Sequence, residues 1–182
     1  ISLEDIPKYT TWLNDLEVTI ATTLYSRIIA MESENEALVE LKKGYNFAIR
    51  LIQTNEVIGS IGLNESDLLH RNTELGIMIG SKNHWRQGYG EESINLWLDF
   101  TFNLLNLKNV YLKVMEYNTP AIALYKKIGF KDAGRLRIAH EINGKRYDVL
   151  LMDILSDEYN SVYVNKIMEK RFGDVGKWKN YM

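Results

Sequence analysis

The run TELGIMIGSKNHWRQGYGEES, residues 73–93, decides the fold. Its first part, TELGIMIG (73–80), is apolar on both faces toward its end, as a strand in the middle of a sheet is. Its last part sets Gly88 and Gly90 around Tyr89, with Arg86 and Gln87 just before and Glu91 and Glu92 just after. Beyond it, SINLWLDFTFNLLN (93–106) repeats Ile94, Trp97, Leu98, Thr101, Leu104 and Leu105 at helical spacing. A strand, a glycine pair and a helix in that order place the unsatisfied N–H groups of a helix start beside backbone that carries no Cβ. Such a place suits a phosphate. It also serves as a plain tight loop, and the residues alone leave both readings open. A dinucleotide fingerprint is excluded, since Ser93 stands where G-x-G-x-x-G needs its third glycine, and no Gly-Lys-Ser/Thr of a P-loop occurs.

Working outward, LEDIPKYTTWLN (3–14) carries a rough helical stripe. SENEALVELKKG (33–44) has a capping Ser33 and a terminal Gly44, and predicts a short helix. YNFAIRLIQ (45–53) alternates, and VIGSIGL (57–63) follows after a short turn, which predicts two strands. NVYLKVME (109–116) predicts a fourth strand with Val110, Leu112 and Val114 on one face. TPAIALYKKIG (119–129) predicts a helix with Pro120 in its first turn and Gly129 past its end. RIAHEINGKRYDVLLMDIL (137–155) predicts a hairpin turned at Asn143-Gly144, and DEYNSVYVNKIMEKRFG (157–173) one more helix. The class is α/β or α+β: a mixed sheet, because hairpins flank a strand–helix–strand centre.

The 182 residues suit one domain, with 1–155 as core and 156–182 as a helical tail. A net charge of −2 without long runs of one sign points to neither nucleic acid nor a membrane surface. No window approaches the ~20 apolar residues of a membrane span. With no cysteine there are no disulfides and no thiol ligands, which fits a cytoplasmic protein. His70, His84 and His140 are scattered and predict no metal site.

Three segments together resemble the GNAT acetyltransferases. WRQGYG (85–90) is similar to the family's acetyl-coenzyme A loop, Gln/Arg-x-x-Gly-x-Gly/Ala, except that Trp85 stands at the first position. An aromatic there is familiar from the branch that acetylates ribosomal-protein N-termini and polyamines. NTPAIALYKKIGF (118–130) is similar to the second signature through Asn118, Ala121, Leu124, Tyr125, Gly129 and Phe130. TELGIMIG is similar to the strand that precedes the loop, with Glu74 at its start. The resemblance spans about residues 3–155. It implies a central sheet splayed in its middle with helices on both faces. It also implies that Arg86, Gln87, Gly88, Tyr89 and Gly90 hold the pyrophosphate of acetyl-coenzyme A. The backbone of Met78 and Ile79 would pair with its pantetheine arm, and Asn118 and Ala121 would contact it.

Acetyl transfer to an amine sets four tasks: holding the thioester, polarising its oxygen, deprotonating the amine and protonating the sulfur. Freeing a primary amine of its proton at pH 7 costs roughly 4–5 kcal/mol. A carboxylate is the expected acceptor, and Glu74 is the candidate base. Tyr125 falls where the family has its general acid. His140 is a weaker candidate for the acceptor cleft. The acceptor is expected to be a protein N-terminal amine or a polyamine. A polyamine would call on acids such as Glu32, Glu34, Glu36, Glu65 and Asp67. An aminoglycoside or sugar amine, or a non-catalytic coenzyme A-binding module, is the alternative, and the presence of both Glu74 and Tyr125 speaks against the last. Apolar residues of the tail (Tyr159, Val162, Tyr163, Ile167, Met168) and open strand edges predict a homodimer.

Overall fold

A computed structural model describes residues 1–22 and 45–173. The helix expected over 33–44 lies outside them. Six strands form one sheet: β1 (Asn46–Arg50), β2 (Val57–Asp67), β3 (Asn72–Ile79), β4 (Asn109–Met115), β5 (Lys131–Ile142) and β6 (Lys145–Leu155), in the order β1-β2-β3-β4-β6-β5. Neighbours run antiparallel except β3 and β4, which are parallel. The mixed sheet is the expected one. Its last hairpin turns at Asn143 and Gly144 with φ of 50° and 71°, the left-handed pair that a two-residue turn between twisted strands requires.

The connection from β3 to β4 is a helix, α3 (Tyr89–Asp99), continued by a wider turn at Phe100–Leu104. Ile94, Trp97 and Leu98 of α3 lie on Ile61, Leu63, Leu75, Val110, Leu112, Val114, Met152 and Ile154 of the sheet, together with Phe102 and Phe130. These residues alternate along β2, β4 and β6, so one face of the middle of the sheet is apolar. Burial of the side chains on that face, at ~25 cal/mol per Å² of apolar surface, is the main source of stability. A second helix, α4 (Thr119–Ile128), packs on the same face through Ala121, Ile122, Leu124, Tyr125 and Ile128. The opposite face carries α1 (Ile6–Leu13), followed by the single turn α2 (Leu16–Thr19). Gly80 continues the parity of Gly76 and Met78 away from the core, and a Cβ on it would lie 2.0 Å from Trp12 Cδ2, so α1 covers that side. Helices therefore flank both faces.

One expectation fails at the end of α3. Leu104 is 69% exposed, although the helical stripe places it inside. The wide turn is the reason: Leu105 N–H bonds the Phe100 carbonyl five residues back (3.0 Å), so an extra residue enters and rotates Leu104 outward. The tail also differs in detail. Its helix, α5, begins only at Val164 and ends at Phe172. Tyr159, ahead of it, packs against this chain's own core, with its hydroxyl donating to the Asn95 carbonyl (2.9 Å). Buried Asp99 fixes this region by accepting from the Tyr163 N–H (2.8 Å) and from the Ser161 hydroxyl. Ile167 remains 61% exposed.

Candidate active site

Strands β3 and β4 pair over only three positions, Asn72 with Asn109, Thr73 with Val110 and Glu74 with Tyr111. Beyond them β3 runs on to Ile79 beside β2 alone, and β4 runs on to Met115 beside β6 alone. The sheet is thus open in its middle. The ladder fixes which backbone groups face the opening. Gly80 N–H bonds the Ile58 carbonyl (2.9 Å), so the even residues of β3 spend their backbone groups on β2, and the odd ones turn theirs toward β4. Glu116 N–H bonds the Asp148 carbonyl (3.1 Å), so the odd residues of β4 face back toward β3. Ile77 and Ile79 therefore present N–H groups to the opening, while Met78 is tied to Ser60. Of the two expected edge residues, Ile79 turns its N–H to the opening and Met78 turns its own to β2; Ile77 shares the orientation of Ile79. The Ile79 carbonyl is already used, accepting from the Trp85 indole at 2.7 Å.

The glycine loop closes one end of this opening. A turn at Lys82–His84 leads into it, held by Ser81 Oγ and His84 Nδ1 at 2.8 Å. Arg86 and Gly88 both have positive φ, 60° and 89°, and Gly88 is the N-cap of α3. No side chain caps the helix, and its first internal bond comes only from Glu92 N–H to the Gly88 carbonyl (3.0 Å). The N–H groups of its first turn are left for something else. A Cβ at Gly88 would meet no atom within 4 Å, and one at Gly90 only Leu124 Cδ2 at 3.6 Å. Protein packing thus does not demand a glycine at position 90, and the space beside it opens into the cavity. Glu91, an acid in the first turn of α3, is paired with Lys127 at 2.7 Å. Gln87 turns its side chain back to the Asn83 carbonyl (2.6 Å) and does not line the cavity, so its backbone alone can serve.

The cavity encloses about 890 Å³ and brings together Glu74, Met78, Ile79, Arg86, Gly88, Tyr89, Gly90, Asn118, Ala121 and Tyr125. Asn118 is the N-cap of α4: its Oδ1 accepts from Ala121 N–H (3.3 Å) and its Nδ2 donates to the Ala21 carbonyl (3.4 Å). Tyr125 lies on the α4 side of the opening, its ring edge-to-face with Phe130. Burial pushes its hydroxyl up to about 12, so it is protonated at neutral pH and available as a donor. Glu74 lies on the opposite side. It is not a solvated strand end: it is 7% exposed and bonded at 2.6 Å to Lys113 Nζ. Lys113 is absent from the sequence-derived site. The alternation of β4 gives it only an outward face, and nothing in the sequence marks a partner 39 residues away. His140 stands beside Tyr117 on the β5–β6 hairpin, ring centroids 6.0 Å apart, and does not line the cavity. Asp67 is exposed and bound to His70 at 2.7 Å, outside the cavity.

Residues 1–131 match the model of the acetyltransferase (GNAT) domain. The spermidine N(1)-acetyltransferase of Vibrio cholerae is 35% identical over 138 residues, covering 70% of this chain and 79% of that protein. The protein of the same name from Escherichia coli K12 is 31% identical over 136 residues, with 75% and 66% covered. The match to an uncharacterized N-acetyltransferase of Bacillus licheniformis, 35% identical, spans 63% of that protein's length. The crystal structure of the Vibrio cholerae spermidine N-acetyltransferase in complex with CoA and spermine superimposes with a TM-score of 0.76 at 28% identity, covering 87% of this chain and 94% of that one. With a parted parallel strand pair, an uncapped helix start behind a glycine loop, and a domain model matching 131 residues, the chain belongs to the GNAT family of acetyltransferases.

Proposed function

We propose that the protein transfers an acetyl group from acetyl-coenzyme A to a primary amine by direct attack within a ternary complex. The observation that carries this reading is the opening between β3 and β4, with the candidate base Glu74 on one side and Tyr125 on the other. The first turn of α3 and the backbone from Gln87 to Gly90 would hold the pyrophosphate, with Arg86 adding charge. The N–H groups of Ile77 and Ile79 would pair with the amide-bearing arm, and one of them would serve the thioester oxygen as charge builds on it. The co-substrate supplies an activated acyl carbon and a thiol leaving group; the chain supplies orientation, a proton acceptor and a donor.

Glu74 accepts the amine proton, directly or through water. Tyr125 hydrogen-bonds the departing sulfur. A tyrosine is already a weaker acid than a thiol, and burial raises the Tyr125 hydroxyl further, so full proton transfer to the departing thiolate is uphill. The hydroxyl's contribution is therefore a hydrogen bond that strengthens as charge gathers on sulfur, more than a completed transfer. Asn118 and Ala121 set the start of α4 and hence where Tyr125 points.

The acceptor is a polyamine or a protein N-terminal amine. The named relatives support the polyamine. A second reading has its own observation: among the described lining acids Glu74 is matched to Lys113 and Glu91 to Lys127, while Glu17 shares Lys82 with Asp15. A polycation gains less from compensated carboxylates than from bare ones, which favours an N-terminal amine. Release of thiol from acetyl-coenzyme A, read against spermidine, spermine, an N-terminal peptide and an aminoglycoside, decides between them. The chain has no cysteine, so the thiol signal has no protein background. Homodimer formation is part of the same proposal, supported by exposed Leu136 and Ile138 on edge strand β5 and by Ile167 on α5. A monomeric mass in sedimentation at micromolar concentration would remove it.

A further inference from the structure

A chain built to acetylate amines carries one lysine amine inside its own transfer cavity. Among the described residues Lys113 is the lysine that lines it. It stands on β4 just past Tyr111, where the two strands part, on the same side of the sheet as Glu74. Its Nζ lies 2.6 Å from Glu74 Oε2, and its side chain is one-third exposed while that of Glu74 is 9% exposed. The amine is thus held against the residue that would deprotonate an acceptor. Lys113 and Tyr125 line the same cavity from opposite faces.

We propose that Lys113 is a self-acetylation site, the first amine this protein acetylates. The inference rests on the transfer reading above. One ammonium proton passes from Lys113 Nζ to Glu74 and on to water. The nitrogen lone pair then forms a bond to the thioester carbon, and the carbon–sulfur bond breaks. A second proton from nitrogen ends on the sulfur as free thiol, and the third stays on the new amide. No other reactant is needed. The product is a neutral amide, which removes the ion pair. Glu74 is left a partly buried carboxylate without its cation, and such a group favours the next ammonium that enters. Self-acetylation would so convert a compensated cavity into an anionic one.

The test uses the full chain with acetyl-coenzyme A and no added amine. Peptide-resolved mass spectrometry reads acetyl at Lys113 against the exposed Lys126 and Lys131, whose side chains are 53% and 65% exposed. The expected result is near-complete acetylation of Lys113, with one equivalent of thiol released per chain. Its first-order rate should not change on dilution of the protein, as for a reaction within one molecule. Glu74→Gln should slow it by at least about tenfold, a modest share of the ~10²–10⁴-fold that a positioned base supplies. Lys113→Arg should remove the single thiol equivalent while still binding acetyl-coenzyme A. Acetylation of Lys113 no faster than of Lys126 overturns the proposal. If added amines turn over while Lys113 stays unmodified, self-acetylation is refuted and the enzyme reading stands. If neither occurs and the cofactor does not bind, both fall together.

Discussion

The two ends of the β3–β4 pair are built from the same backbone chemistry and put it to opposite use. At Asn72–Glu74 the strands meet, their hydrogen bonds close inside the sheet, and Thr73 and Val110 are fully buried. Five residues on, the odd-numbered groups of β3 face an opening beside an uncapped helix start. The closed end contributes stability and the open end forgoes it. An unmade hydrogen bond at a buried backbone group costs about 1–3 kcal/mol, so an opening of this kind persists where something else will supply the partner. Substitutions at the two ends should therefore separate folding from binding.

The largest expected effect is at the open end. Gly88→Asp puts a negative charge and a Cβ where the proposed reading places the pyrophosphate, yet the Cβ meets no protein atom. Acetyl-coenzyme A affinity should fall by 100-fold or more, as roughly 3 kcal/mol of charge-assisted bonding is lost. The φ of 89° strains any side chain, so the thermal midpoint should also fall, by a few degrees, and affinity is read on the folded variant. Calorimetric titration beside a melting curve checks both, and unchanged affinity in the folded variant would end the loop assignment. Next in size is Tyr125→Phe. It should lower kcat by about 100-fold, the low end of the range for a positioned donor, with cofactor affinity intact. Because the hydroxyl is pushed up to about 12, the ratio to wild type should stay flat between about pH 7 and 9. A twofold loss or less would make Tyr125 a packing residue.

The core under the parting should answer in the reverse way. Leu112 is 1% exposed on the apolar face, and Leu112→Ala should cost ~2–5 kcal/mol of stability while leaving affinity near wild type in the folded protein. Denaturant unfolding measures the first and titration the second; a selective loss of affinity would blur the distinction drawn between the two ends. The smallest effect is expected at the ion pair tying α1 to edge strand β1, Asp5 with Arg50 at 2.6 Å. Burial pushes the Asp5 carboxyl up, but hydrogen bonds from Ser2 and the Arg50 guanidinium outweigh it and hold it below its usual range. A carboxyl lowered by folding stabilises above its unfolded value, about 3.9, and the gain is lost as pH falls through the folded value. Arg50→Ala should lower stability at neutral pH by ~1 kcal/mol and converge on wild type on the acid side of about pH 4. A constant difference down to acid pH would assign the effect to Arg50 packing.

The glycine pair, the alternation of β1 to β4 and the turn at Asn143-Gly144 were legible because each rests on neighbours in sequence. Which N–H groups face the opening was not. Met78 and Ile77 differ only in ladder parity, and parity depends on Ile58, a residue of another strand. Lys113 escaped for a related reason: a lysine on the outer side of an alternating strand looks solvated until Glu74 is placed beside it. Gln87 fits the loop signature, yet its side chain is spent on Asn83. Leu104 follows the helical stripe and still faces water, since a widened turn leaves no local mark in the sequence.

That turn has a consequence for chain length. Leu105 bonds Phe100 across five residues, so removal of the exposed Leu104 between them would leave an ordinary α-helical bond between the same two partners. A deletion further up α3 would instead rotate the following residues by about 100° and carry Trp97 or Leu98 off the core. The connection between the two parallel strands thus holds one residue of slack at a defined place, where a length change is absorbed without disturbing the helix start that faces the opening.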